Sequence, residues 1–336
     1  MENSFETKTG IKTLLMASQP TLLQAVETFL QVGLAGRSPR TVEWYRKHLV
    51  PLAHDLGEEM TVGMVMEADL LDWYARLERR QVRWEGSSRP TAKGRLAPDT
   101  LHGYVRAVRL LFKRLMQWGV ILENPAAHLE LPKLPRSGRP GISDSNVQAI
   151  LHAAKDDIRD YALLRFLEAS GCRRGGIANL QLGDLNLDND NERLRRRATV
   201  HEKGAKERSV VLTPGALQAL EAWLELRSKL EIDSPDDDHV FLGREHQGMP
   251  WRPMREDGIS GVLRRYKERL DLRGSCSPHQ WRHRWARKRL QEGMGLSQVS
   301  QLMGHEDVSI TVRYYGQFTI DQLQDAYDRF VSDPKE

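Results

Sequence analysis

The chain has 336 residues, 40% of them apolar and 29% charged, with 50 Lys and Arg against 46 Asp and Glu. This length favours two domains, and the mixed charge excludes a disordered tail. The two cysteines, Cys172 and Cys276, lack metal-ligand spacing and cannot form a disulfide framework, so a reducing cytosol is predicted. We expect neither a signal peptide nor a membrane span, because no long apolar run is present.

The first half of the chain is predicted to be helical after a loose, polar segment at residues 1–18. Apolar residues recur at helical steps from Thr21 onward, and a second helix follows the break at Gly36 to Pro39. A third helix is predicted from Glu67 to Arg80. The strongest pattern runs from Pro98 to Trp118, and Gly119 can end that helix.

Four basic side chains lie largely off the apolar side of the last of these helices. They are Arg106, Arg109, Lys113 and Arg114. They form either a solvated helix face or a row of contacts with DNA phosphates. Positive charge is concentrated in this half, since residues 1–140 carry roughly +5 and the remainder roughly −1. That bias suits a polyanionic partner without proving one.

The second half is predicted to mix helices with one small hairpin. A proline-rich, basic stretch at residues 131–140 reads as the linker that precedes it. Strands are predicted at Leu194 to Val200 and Arg208 to Leu212, with a turn at Lys203 to Lys206. Helices are predicted at 144–154, 159–169, 215–229, 254–270, 279–292, 296–303 and 309–315, with a short amphipathic helix at 320–330. The predicted fold class is therefore mainly α with a small antiparallel sheet.

His279 and Arg282 are the first candidates for chemistry. Three residues apart on a helix, they point to the same side and could hold one phosphate together. The alternative is a basic surface turn, because further arginines and a lysine follow immediately.

Arg173 is the second candidate, in the small-residue turn Ser170 to Gly176. An arginine between apolar helices is rarely buried without an anion, so this residue could be a second phosphate-binding group. The alternative is a salt bridge to Asp184.

Two weaker signals lie on the predicted hairpin and near the C-terminus. Lys203 or Lys206 at a turn tip could deliver a proton to a leaving oxygen, although most such lysines are only solvated. The doublet Tyr314–Tyr315 follows His305 closely, and tyrosines are usually packed in a core. A doublet favours one packed and one accessible hydroxyl.

The order of these groups along the chain resembles that of the tyrosine recombinase (phage integrase) family. The resemblance spans about residues 20–330 and is most specific between Pro278 and Tyr315. It includes the box His279-Gln280-Trp281-Arg282-His283 and the hairpin motif from Lys203 to Arg208. The catalytic residues implied by the resemblance are Arg173, Lys203, His279, Arg282, His305 and Tyr314, with Tyr315 as the second choice for the nucleophile.

The resemblance also implies a domain organisation. Residues 1–18 would be a flexible N-terminus, and residues 19–130 a helical, SAM-like core-binding domain that contacts DNA. Residues 131–142 would be the linker. Residues 143–336 would form an α+β, integrase-type catalytic domain with a C-terminal helix.

The function implied is site-specific recombination of double-stranded DNA through a 3′-phosphotyrosyl intermediate, for integration, excision or resolution. The expected assembly is a tetramer on paired sites, with accessory DNA-bending proteins as optional partners. No cofactor, metal or membrane is expected, and the location would be the cytoplasm, at the nucleoid when DNA is bound. The alternatives are a type IB-like topoisomerase and a catalytically weakened, recombinase-like DNA-binding protein.

One departure from the family motif favours the weakened alternative. The family carries an acidic residue three positions after its first arginine, and here that position is Gly176. The acidic residue supports the arginine and histidine from behind, so its loss puts catalytic efficiency in question.

Overall fold

The computed structural model describes most of the chain in two compact units, within residues 1–136 and 137–336. The described residues are 19–81, 94–134, 141–187, 189–202, 206–234, 237–244, 248–305, 307–316, 320, 324 and 327–328. Within these ranges no helix is both long and apolar enough to cross a lipid bilayer.

The first unit is helical in every element described. It contains α1 (Leu22–Thr28, continued by a π-helical turn at Phe29–Gly33), α2 (Pro39–Leu56), a 3₁₀ turn (Val62–Met64), α3 (Glu67–Arg79) and α4 (Pro98–Gln117). Side-chain caps fix two of the helix starts: Thr21 accepts a hydrogen bond from the Gln24 backbone, and Ser38 accepts one from Thr41. Such caps satisfy backbone N–H groups that a helix leaves without partners.

Helix α4 supplies much of the core of this unit. Its apolar side is buried as the periodicity predicted, with Leu101, Val105, Val108, Leu111, Phe112 and Leu115 at 9% exposure or less. Arg106, Arg109, Lys113 and Arg114 are exposed. Arg106 lies 4.6 Å from the ring centre of Trp44, and Arg109 donates to the Leu129 carbonyl at 3.3 Å.

The second unit contains helices and two short sheets. Its helices are α5 (Asp144–Ala153), α6 (Ile158–Ser170), α7 (Arg174–Ala178), α8 (Glu192–Arg195), α9 (Pro214–Arg227), α10 (Glu256–Arg269), α11 (Pro278–Gln291), α12 (Leu296–Met303) and α13 (Val308–Tyr315). Its strands are β1 (Arg197–Glu202), β2 (Lys206–Val211), β3 (Leu242–Gly243) and β4 (Arg252–Pro253).

The main sheet is an antiparallel hairpin in which Val200 pairs with Arg208 and Glu202 pairs with Lys206. The predicted start of its first strand, at Leu194, is wrong. The Leu194 amide donates instead to the Asn191 carbonyl at 2.8 Å, which closes a helical turn and delays the strand to Arg197. The two-residue strands β3 and β4 form a second sheet that is too short for a periodic signal.

Two groups of buried side chains organise the second unit. The large core gathers α6, α9, α10 and the hairpin around Phe166, Trp223 and Phe241. A smaller cluster joins Trp285 on α11 with Met303 on α12 and Tyr315 on α13. This smaller cluster ties together α11, which carries His279 and Arg282, α12, which ends just before His305, and α13, which carries Tyr314. Mainly helical structure with small antiparallel sheets confirms the predicted fold class.

Candidate active site

Two helices in the second unit end at glycines in the left-handed region, and each glycine precedes a predicted site residue by one or two positions. Gly171 ends α6 with φ 57°, and Gly304 ends α12 with φ 64°. A Cβ at Gly171 would lie 2.7 Å from the Trp285 ring, and one at Gly304 would lie 2.7 Å from Arg208 Cδ. Backbone conformation and close packing therefore both require glycine at these turns.

Arg282 connects the two helix ends. Its Nη1 donates to the Gly171 carbonyl at 2.9 Å, and its Nη2 donates to the Met303 carbonyl. The side chain is 2% exposed. These acceptors are C-terminal helix carbonyls that lack partners within their own helix. One buried guanidinium thus fixes the turns that present Arg173 and His305.

Three arginines share this region, and we call Arg173, Arg208 and Arg282 the arginine cluster. Burial and the positive charges of Arg173 and Arg208 lower the pKa of Arg282 to about 9. Burial and Arg208 also lower the pKa of Arg173. The positive charges of the three guanidinium groups repel one another, so an anion bound in this region is stabilised.

One buried carboxylate lies within the cluster. Glu202, with its side chain 7% exposed, contacts Arg173 Nη1 through Oε2 and accepts from Arg208 Nε at 3.1 Å through Oε1. The alternative partner considered for Arg173, Asp184, instead contacts His201 Nε2 at 2.7 Å. The sequence prediction therefore named the wrong carboxylate for that alternative.

His305 is held in an uncharged state. Burial, followed by the charges of Arg282, Arg173 and Arg208, lowers its pKa to about 4. Its Nδ1 lies 2.7 Å from the Thr311 hydroxyl. When that hydroxyl donates to Nδ1, the ring proton is on Nε2, and a neutral imidazole can donate a hydrogen bond to an anion.

His279 and His283 lie one turn apart on α11. Their rings meet edge to face, with centroids 4.4 Å apart. His279 is exposed, and its positive charge would be close enough to contribute to the lowered pKa of His305. His283 is 4% exposed, and its Nδ1 is hydrogen-bonded to the Tyr315 hydroxyl.

The tyrosine doublet at the end of α13 contains one buried and one exposed side chain. Tyr315 is 6% exposed, and burial raises its pKa to about 12. Tyr314 is 38% exposed, with its ring centre 6.1 Å from that of His283. The exposed hydroxyl is the one that a macromolecular substrate could reach.

The structure brings Arg173, Arg282, His305 and His279 into one electrostatic group. Tyr314 lies near this group through His283, whose ring centre is 4.4 Å from that of His279 and 6.1 Å from that of Tyr314. Lys203 lies outside the described residues, as do Gly204 and Ala205 of the predicted turn, whereas Lys206 begins strand β2. Within the described ranges, no three His, Cys, Asp or Glu side chains are grouped as metal ligands would be.

Sequence reasoning missed Glu202 and Arg208. A signal for both exists in the strand pattern, because alternate strand residues share a face. Ala198 and Val200 point into the core, so Glu202 must lie on the same face, as must Arg208 opposite Val200. His201 and Glu207 lie on the other face.

Solved structures of integrases share this fold. The Tn1549 transposon integrase in complex with a circular intermediate DNA superposes with a TM-score of 0.67 at 17% identity, covering 93% of this chain and 99% of that one. A lambda integrase tetramer bound to a Holliday junction gives 0.66 at 13% identity, covering 92% of this chain and 82% of the other.

Sequence relatives extend over most of the chain. Tyrosine recombinase XerC of Pseudomonas aeruginosa is 30% identical over 296 residues, covering 87% of this chain and 88% of the relative. Tyrosine recombinase XerD of Listeria monocytogenes is 27% identical over 315 residues, covering 91% and 97%. The phage integrase family model matches residues 141–319, more than half of the chain. The chain therefore belongs to the phage integrase family and is a tyrosine recombinase, an enzyme of site-specific DNA recombination.

Proposed function

We propose that this recombinase cleaves and rejoins double-stranded DNA through a 3′-phosphotyrosyl intermediate formed by Tyr314. The observation that carries the proposal is the pairing of an exposed tyrosine with a partly buried group of positive charges. Tyr314 is 38% exposed, whereas the hydroxyl of its neighbour Tyr315 is hydrogen-bonded to His283 inside the protein. Of the two phenols, only that of Tyr314 has an exposed approach for DNA.

Arg173 and Arg282 stabilise the charge that develops on the phosphate during transfer. Guanidinium groups match phosphate oxygens well, and donors that are already in place need no rearrangement as the charge forms. Loss of one such donor typically costs about 3–4 kcal/mol in the barrier. His305, neutral because its pKa is about 4, adds a hydrogen bond without adding charge.

Proton transfer is assigned to the remaining groups. The phenol of Tyr314 must lose its hydroxyl proton as the bond from its oxygen to phosphorus forms. His279, an exposed residue in the first turn of α11, accepts that proton. Lys203 donates a proton to the departing 5′ oxygen.

The reaction conserves a phosphodiester at every stage. The Tyr314 oxygen bonds to phosphorus, the bond from phosphorus to the 5′ oxygen breaks, and the 5′ oxygen leaves as a hydroxyl. A 5′-hydroxyl from another strand then attacks the phosphotyrosine and releases Tyr314. Exchange of pairs of strands in this way yields integration, excision or resolution.

Assembly on DNA completes the proposal. Residues 19–130 and 143–336 would contact double-stranded DNA as the core-binding and catalytic domains, joined by a linker at 131–142. Four protomers would assemble on paired sites, with accessory DNA-bending proteins where the sites require them. The predicted C-terminal helix would dock on a neighbouring protomer; of its described residues, Ile320 is 77% and Tyr327 60% exposed. The expected location is the cytoplasm, at the nucleoid when DNA is bound.

Replacement of each tyrosine separately tests the nucleophile. We expect Tyr314→Phe to bind its DNA site normally and to form no covalent adduct with a nicked suicide substrate. Tyr315→Phe should still form the adduct, although loss of the hydrogen bond to His283 can slow it. An adduct that persists in Tyr314→Phe and disappears in Tyr315→Phe would assign the chemistry to the buried residue.

A plasmid assay separates recombination from topoisomerase activity. A type IB-like topoisomerase would relax supercoils in plasmids without a cognate site. We expect strand exchange only between plasmids that carry paired sites, because the pairing of sites is what directs the exchange.

A further inference from the structure

We propose that Glu202 is a positioning residue for DNA cleavage: from β1, it holds Arg173 and Arg208 in place beside the scissile phosphate. The inference deepens the proposed function and rests on it. It also accounts for Gly176, the departure from the family motif that raised doubt about catalysis.

The contacts of Glu202 are divided between two arginines. Its Oε2 meets Arg173 Nη1, while its Oε1 accepts from Arg208 Nε at 3.1 Å. A carboxylate shared in this way restrains the direction of both guanidinium groups and neutralises only one of their charges. The Arg173 side chain is 43% exposed, so it has room to leave this position when the restraint is removed.

The stem of Glu202 occupies the space beside Gly176. A Cβ built on Gly176 would lie 3.5 Å from Val200 Cβ and 3.9 Å from Glu202 Cγ, at ordinary contact distances. A side chain at position 176 would therefore extend towards the place where the Glu202 stem now lies. The acidic group is supplied to the same region by the strand instead of by the helix.

The charges around Glu202 explain why a carboxylate is needed there. Arg173, Arg208 and Arg282 repel one another, as the lowered pKa of Arg282 records. Arg208 is anchored independently, because its Nη1 donates to the Leu302 carbonyl and its side chain is 8% exposed. Arg173 has no comparable anchor among the contacts that the structure describes. Loss of the Glu202 charge should therefore release Arg173 first.

The first experiment removes the charge and keeps the shape. We expect Glu202→Gln to slow formation of the Tyr314–DNA adduct by about 10–100-fold, as for other residues that orient a functional group. Affinity for the DNA site should change less than about threefold, because Arg173 is one phosphate contact among many. The matched control is Glu207→Gln, an exposed carboxylate on the other face of the hairpin, which should leave the rate unchanged.

The second experiment returns the carboxylate from the other element. In a Gly176→Glu/Glu202→Gly double variant, the helix supplies the acid and the strand has none. We expect the double variant to form the Tyr314–DNA adduct at least tenfold faster than the Glu202→Gly variant. A purely structural role for Glu202 would not be rescued in this way.

The outcomes separate this proposal from the proposed function. If the unmodified protein forms no adduct, the proposed function fails. If it forms the adduct and Glu202→Gln forms it equally fast, only the role of Glu202 is overturned. Equal losses of rate and affinity would also overturn it. If Glu202→Gln does not fold, the Gly176→Glu/Glu202→Gly double variant provides the test. An adduct rate below one tenth of that of the unmodified protein would then overturn the proposal.

Discussion

Two buried carboxylates in the second unit are each held by two arginines, yet their surroundings differ in net charge. Asp160, fully buried, accepts from Arg159 at 2.7 Å and from Arg265. Glu202 is held in the same manner by Arg173 and Arg208. The pairing of charges alone does not distinguish the two groups.

Nearby ionisable groups do distinguish them. Burial and the negative charges of Asp160 and Asp157 raise the pKa of Tyr266 to about 12. Next to Glu202, burial and the arginine charges lower the pKa of Arg282 to about 9. Near Asp160, the two carboxylates Asp160 and Asp157 are balanced by Arg159 and Arg265. Near Glu202, three arginines outnumber the single carboxylate and leave unmatched positive charge. The comparison teaches that unmatched positive charge favours the binding of an anion, whereas a buried ion pair by itself does not.

The largest expected effect is a loss of DNA cleavage. The test removes one partly exposed arginine from Glu202 and, for comparison, one from Asp160. Arg173→Ala should slow adduct formation by about 10²–10³-fold, because a preorganised donor to the phosphate is lost. Arg265→Ala is the matched control: it removes an arginine that is 55% exposed, against 43% for Arg173. The Arg265→Ala variant should cleave a suicide substrate in a single turnover at the rate of the unmodified protein. Equal slowing in both variants would erase the distinction between the two groups.

A smaller effect is expected when the scaffold carboxylate loses its charge. Asp160→Asn should lower the free energy of unfolding by about 1–3 kcal/mol, because charged hydrogen bonds to two arginines are weakened inside the protein. Urea denaturation measures the loss. Cleavage by the folded variant, at a temperature well below its melting point, should match that of the unmodified protein. A large loss of cleavage without a loss of stability would mean that Asp160 acts on the site.

The smallest effect is a difference in pH dependence between two histidines. Burial and the arginine cluster lower the pKa of His305 to about 4, whereas hydrogen bonding to Asp184 raises that of His201. Between about pH 6.5 and 4, the unfolded chain binds a proton at His305 that the folded protein does not. As the pH falls through this window, His305 therefore lowers the free energy of unfolding, by at most about 1 kcal/mol per pH unit. The effect is limited because solvent screens the charge of a half-buried ring.

His201 should show the opposite sign. Its stabilising contribution is complete below about pH 6.5, the ordinary value, and is lost as the pH rises through its raised pKa. Compared with the unmodified protein, His305→Asn should lose less stability on acidification, and His201→Gln should lose stability mainly at acid pH. Denaturation curves at pH 5.5 and 8 measure both. If both substitutions changed the pH dependence of stability in the same direction, the charges described around His305 and His201 would be contradicted.

The sequence predicts a helix well where the spacing of apolar residues within that helix determines which side is buried. The apolar side of α4 follows from its own spacing, and its buried residues are those predicted. The start of β1 is harder to predict, since a local hydrogen bond at Leu194 outweighs the strand propensity of the residues that follow. Boundaries depend on such single contacts, which periodicity does not register.

For the site, the sequence indicates which residue types are present and leaves their partners undetermined. The order of Arg173, His279, Arg282, His305 and Tyr314 identifies the chemistry through resemblance to a family, and the assignment of each role remains a proposal. Selection of Glu202 rather than Asp184 beside Arg173 depends on how the hairpin packs against α7. That packing brings together residues distant in sequence, which a reading of local spacing does not reveal.

The two hydrogen bonds from Arg282 to the Gly171 and Met303 carbonyls have a wider consequence. They commit two of its five N–H donors to architecture before any DNA arrives. A lysine has one nitrogen on a flexible stem and cannot hold two main-chain segments at a fixed separation. The penalties measured for altering Arg282 and its neighbours will therefore overlap instead of adding, because this one side chain sets the spacing of the surrounding groups and, in the proposed mechanism, also binds the phosphate.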